Sequence, residues 1–164
     1  MRVGARAPSF SVIVTDWNRA REAARPIRQR VFVEEQGVPV ELEWDEHDEH
    51  SRHALALAAN GEALATGRLL PDGHIGRMAV LARWRGLGIG VQVVRALIRE
   101  AQRLGRPELV LHSQRHAVGF YERFGFTAQG EEFMEAGIPH VMMRARLRRD
   151  GPATRTESSL RPRS

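Results

Sequence analysis

The 164-residue sequence predicts an α/β fold: a mixed, twisted sheet of about six to seven strands flanked by helices. Three observations predict it. HALALAA (53–59), Asn60-Gly61 and EALATGRLL (62–70) make a hairpin pattern that sets two antiparallel strands side by side. From Gly88 the apolar period lengthens to that of a helix, with Val91, Val94, Ala96 to Ile98, Ala101 and Leu104 on one face. ELVLHS (108–113) then reads as a short buried parallel strand, so the helix before it is a right-handed crossover.

The other elements follow in order. SFSVIV (9–14) is a short β-like run. Asp16 stands where an N-cap belongs, ahead of a helical stretch that runs toward Gln36 and stops at Gly37. Pro26 inside that stretch predicts a kink, or a second helix beginning there. Pro71-Asp72-Gly73 is a turn and HIGRMAVL (74–81) a third strand after the hairpin. Gly105 and Pro107 close the crossover helix. A helix is predicted around 116–124 and strands near 126–134 and 140–147, giving the order β-α-β-β-β-α-β-α-β-β.

At 42% hydrophobic the chain holds one domain, expected over 1–147, with a polar, proline-bearing tail over 148–164 that reads as disordered. No run of 18 apolar residues exists and the N-terminus lacks a signal-peptide pattern, so a cytoplasmic protein with no membrane partner is expected. The absence of cysteine excludes disulfides, thiolate metal sites and a Cys nucleophile.

The net charge of +5 does not imply nucleic acid. All 25 basic residues are arginine, and residues 144–164 hold seven of them against two acids, which is the whole surplus. The body, with 18 of each sign, is neutral, and no nucleic-acid partner is expected.

RWRGLGIG (83–90) lies between a strand and a helix, where alternate glycines let backbone N–H groups converge beside the positive end of the helix dipole. That is an anion seat, most often for phosphate. It is not a P-loop, since the chain has no lysine. Nor is it a dinucleotide fingerprint, since Val91 stands at the third glycine position. A plain structural turn is the alternative.

Here the residues resemble a known family. Arg85-Gly86-Leu87-Gly88-Ile89-Gly90 is similar to the R-x-x-G-x-G/A loop of the GCN5-related N-acetyltransferases, and HAVGFYERFGF (116–126) to that family's A-x-x-F/L-Y-x-x-x-G-F pattern. The resemblance covers roughly 9–147 and implies a GNAT-like acyl-CoA N-acyltransferase fold, with acetyl-CoA as co-substrate and no metal. It implies that the loop amides, with Arg85, hold the pyrophosphate. It implies that Met78, Ala79 and Val80 run beside the pantetheine arm, with a backbone N–H polarising the thioester carbonyl. Tyr121, the only tyrosine, then protonates the departing thiolate, or else is merely a core aromatic. Gln114 stands where the family usually has Asn, at a position that contributes to cofactor binding. The general base stays open between His112 and Glu34 or Glu35 acting through water.

VEEQGVPVELEWDEHDEHSRH (33–53) carries eight carboxylates and three histidines. His47, His50 and His53 share a spacing that suits zinc only in a helix, and the crowding argues for a loop. VFVEEQGVP and EAGIPHVMM look like a bacterial subgroup of the family typified by ElaA and YjcF. Arg28-x-x-x-Phe32, Glu43-x-Asp45-x-x-Asp48 and Arg68-Leu-Leu-Pro also look like acyl-homoserine-lactone synthases, a related fold with a cationic substrate. These resemblances make Arg28, Phe32, Glu43, Asp45, Asp48 and Arg68 candidates for binding a small-molecule or peptide amine, with the carboxylates as the lip that meets its positive charge. The apolar Met142-Met143 run suggests that strands 126–147 could extend the sheet across a homodimer.

Overall fold

A computed structural model describes residues 8–148, so the expected disordered tail lies, apart from Arg148, outside the described residues. Seven strands form one sheet: β1 Phe10–Thr15, β2 Arg52–Ala58, β3 Ala63–Leu69, β4 His74–Val80, β5 Glu108–Gln114, β6 Thr127–Glu135 and β7 Ile138–Arg146. Their spatial order is β1-β2-β3-β4-β5-β7-β6, antiparallel throughout except for the β4–β5 pair. The helices are α1 Trp17–Arg28, α2 Val40–Glu43, α3 Ile89–Arg103 and α4 Val118–Glu122. The mixed sheet flanked by helices is the predicted fold class.

Alternation along the strands splits the core between two faces. Ala54, Ala56, Leu109 and Leu111 meet Val93, Val94 and Leu97 of α3, joined by Tyr121 of α4 and Phe126. Leu55 turns the other way onto Trp17, Ala20 and Ala24 of α1, and Ala79 onto Ile27 and Val31. Each buried Leu or Val contributes about 1.5–3 kcal/mol, so these two layers hold the sheet between α1 and α3.

Asp16 caps α1 as expected, its Oδ1 accepting from the Arg19 N–H at 3.0 Å. Pro26 lies inside α1 and no second α-helix begins at it; beyond Arg28 the chain widens into a π-helical segment, Gln29–Glu35. Such segments gather at functional sites. α3 ends as predicted: Gly105 takes a φ of 73° while the Arg106 N–H bonds back to the Ala101 carbonyl at 3.0 Å.

The last two strands differ from expectation. They meet at a tight Ala136-Gly137 turn with both φ positive, so β7 starts at Ile138 rather than near 140. β7 also folds back between β5 and β6. Met143 is therefore in the core, and the methionine pair lies inside the sheet rather than on an edge that could join a second copy.

β4 and β5 pair only at His74–Val110 and Ile75–Leu111, then part. A bulge in β4 drives the parting: Arg68 faces Gly76 and Thr66 faces Ala79, so two β4 residues oppose Gly67. Arg77, in the bulge, has a φ of 51°. A Cβ at Gly67 would meet Met78 Sδ at 2.5 Å and Leu97 Cδ1 at 2.9 Å, so a larger residue there has to move those side chains.

Candidate active site

The parted strands open a cavity of about 370 Å³ on the α3 side of the sheet. One wall is Met78, Ala79 and Val80 of β4; the floor is the loop through Arg85, Gly86, Gly88 and Gly90 into α3; the far wall is Phe120, Tyr121 and Arg123. Gly88 caps α3 at a φ of 82°, a conformation that aims the first-turn N–H groups outward without partners of their own. A Cβ on Gly90 would sit 3.4 Å from Val80 and 3.6 Å from Phe120, narrowing the gap between the walls. The Trp84 indole Nε1, buried at the rim, has no hydrogen-bond partner within the protein. Free amides, an orphaned donor and a dipole end fit a polyanionic, narrow ligand such as a phosphopantetheine arm.

Arg85 reaches both sides of the opening. Its Nε donates to the Val80 carbonyl at 2.9 Å and its Nη2 to Glu35 Oε2 at 2.8 Å. Tyr121 is buried against Phe120 and Phe126, and burial pushes its hydroxyl well above the ordinary value, so it keeps its proton.

On the opposite face lie His112 and Gln114, because alternation turns them away from Leu111. Gln114 makes a reciprocal amide pair with Gln36 at the end of the π segment, at 2.9 and 3.4 Å. His112 is partly exposed, with Nδ1 2.9 Å from Glu135 Oε1, beside Phe133 and His74.

A family model described as an acetyltransferase (GNAT) domain matches residues 19–147. The chain belongs to the GNAT acetyltransferases. It is 36% identical to the uncharacterized N-acetyltransferase YjcF of Bacillus subtilis over 71% of this chain and 86% of that protein. Among solved structures it is similar to an acyl-CoA N-acyltransferase from Pseudomonas aeruginosa, with a TM-score of 0.75 and 31% identity over 84% of this chain and 99% of the other. Escherichia coli ElaA gives a TM-score of 0.74 and 28% identity over 83% and 99%. The recognised family and its ElaA and YjcF relatives are those the motifs resembled.

Within this GNAT domain the sequence-derived donor residues come together, with two exceptions. Leu87 turns from the cavity to pack on the core, and the Gln114 side chain is engaged by Gln36 on the other face. Trp84, Phe120 and Arg123 line the cavity and were not singled out. Trp84 and Phe120 sit inside the two motifs, which was the available signal.

The acidic segment is not an open lip. Arg28, 1% exposed between the Trp17 and Trp44 rings, donates to Glu43 Oε1 at 2.6 Å and to both Asp48 oxygens at 2.8 and 3.1 Å. Arg68 bonds Asp45 and Asp48, and Arg77 bonds Asp45 and the Glu43 and Leu42 carbonyls. Three guanidiniums therefore match the three carboxylates, leaving no net negative charge for an acceptor. Burial pulls Asp45 upward, but the Arg68 hydrogen bond and the Arg68 and Arg77 charges outweigh it and hold it below the usual range. Phe32 packs beside Ile27, Val31 and Ala79. The structure thus joins Arg28, Glu43, Asp45, Asp48 and Arg68 into a buried network, with Arg77 as the member sequence reading missed.

The histidines of that segment do not converge. His53 is buried in β2, stacked on Trp17 with Nε2 2.9 Å from the Asp48 carbonyl. Among the described residues no group of three or more His, Asp or Glu is placed to hold a metal, and no helix is long and apolar enough to cross a membrane.

Proposed function

We propose that the chain transfers an acetyl group from acetyl-CoA to an amine acceptor by direct attack in a ternary complex. The observation that carries this is the shared cavity: Met78–Val80, the Arg85–Gly90 loop and Tyr121 all line it, at the place where β4 and β5 part. In this reading the donor fills that cavity and the acceptor comes from the opposite face of the sheet, where His112 lies.

The loop amides and Arg85 bind the pyrophosphate, and a backbone N–H of Met78–Val80 polarises the thioester carbonyl. The acceptor enters on the His112 face. His112 Nε2 takes the proton that the amine loses as its nitrogen bonds to the carbonyl carbon. As the C–S bond breaks, the sulfur takes a proton from Tyr121, whose hydroxyl recovers one from solvent. Without cysteine no thiol relay is available in the chain, which supports direct transfer.

Initial velocities at varied acetyl-CoA and amine test this. Intersecting double-reciprocal lines are expected. Parallel lines, the pattern of a covalent relay, would contradict it, as would CoA affinity without turnover on any amine.

A further inference from the structure

We propose that Glu135 is the positioning residue that makes His112 a proton acceptor, a role resting on the reading of His112 as the base. Glu135 ends β6 just before the Ala136-Gly137 turn, and its Oε1 lies 2.9 Å from His112 Nδ1. A carboxylate can only accept, so the contact requires the imidazole proton to sit on Nδ1. The lone pair is then on Nε2, free to take a proton from the acceptor.

The ring is held in place from several sides. Phe133 meets it edge-on at 5.1 Å and His74 of β4 at 6.1 Å. The other Glu135 oxygen faces His140 of β7: Oε2 is 3.7 Å from its Nε2, while His140 Nδ1 donates to the Ile138 carbonyl at 2.7 Å. These groups share a sheet face that α1 does not cover. Nearby, Asp72 Oδ1 lies 2.9 Å from His74 Nδ1, and Arg115 is paired with Glu132.

With His112 38% and Glu135 47% exposed, the pair adds little to folding. Its value lies in orienting the ring and in holding the tautomer that leaves Nε2 free. The carboxylate acts on the proton, not on the donor, so its effect belongs to the acceptor half of the reaction.

The test uses the full chain, with putrescine, phenethylamine and glycinamide as probe amines, and pairs steady-state kinetics with nitrogen NMR of the His112 ring. Glu135→Gln is expected to lower kcat/KM for the amine about tenfold. The tautomer should drift toward Nε2–H, with KM for acetyl-CoA unchanged and Glu135→Asp recovering part of the lost kcat/KM. An inactive His112→Gln beside a Glu135→Gln with wild-type kcat/KM and tautomer overturns the proposal alone. Full activity of His112→Gln overturns the base reading and this proposal with it.

Discussion

Arg77 Nη2 donates to Asp45 Oδ2 at 3.0 Å, tying the positive-φ residue of the β4 bulge to the acidic segment. The same guanidinium holds the Leu42 and Glu43 carbonyls. The carboxylate-rich stretch is thereby a clamp on the bend that parts β4 from β5.

Loss of the clamp should loosen the bulge before it unfolds the chain. Asp45→Ala removes partners of both Arg68 and Arg77 and is expected to cost about 1–3 kcal/mol in chemical denaturation. Arg77→Gly should be about 1 kcal/mol more stable than Arg77→Ala, because glycine carries no penalty at a φ of 51°. Equal stability of the two would show that the bulge stores no strain.

Removing a deeper member of the network is harsher. Arg28→Met leaves Glu43 buried without its hydrogen-bond partner and Asp48 with Arg68 alone, and is expected to destabilise by about 3–5 kcal/mol, read from the denaturation midpoint.

Gly67→Ala probes the close approach behind the cavity. The new Cβ has to displace Met78 Sδ and Leu97 Cδ1, which should cost about 1–3 kcal/mol and weaken acetyl-CoA binding together. A variant as stable as wild type would mean that β3 can shift at no cost.

In the proposed reading Glu35 and a phosphate of acetyl-CoA compete for Arg85. Glu35→Gln should lower KM for acetyl-CoA a few-fold, with Arg85→Ala raising it, since the first frees the guanidinium and the second removes it. A rise in KM for both would assign Glu35 a supporting role.

Acid stability should report His53. Burial holds its pKa below the ordinary value, so unfolding takes up a proton once the pH falls below about 6.5. His53 thus contributes stability that is present above that pH and lost as the pH falls toward the folded value. The melting temperature should drop over that window, and His53→Gln should flatten the drop.

Much of this was legible in the sequence, and for physical reasons. Strand order up to β5, the α3 crossover and the glycine loop follow from local period and turn chemistry, which neighbours in sequence determine. Most residues that line the cavity lie in or beside the two motifs, which is why spacing brought them together. The acidic segment was misread because its partners, Arg28, Arg68 and Arg77, lie on α1, β3 and β4, and no local pattern says that a carboxylate faces an arginine rather than solvent. Glu135 was invisible for the same reason. Its link to His112 spans 23 residues and exists only once β7 has folded between β5 and β6.

The most direct measurement is thiol release from acetyl-CoA by wild type and Tyr121→Phe with the same amine panel. The ring packing is preserved in the variant, so only the hydroxyl is removed. The account predicts a fall in kcat of about 100-fold with little change in KM for acetyl-CoA. Undiminished kcat in Tyr121→Phe would contradict it.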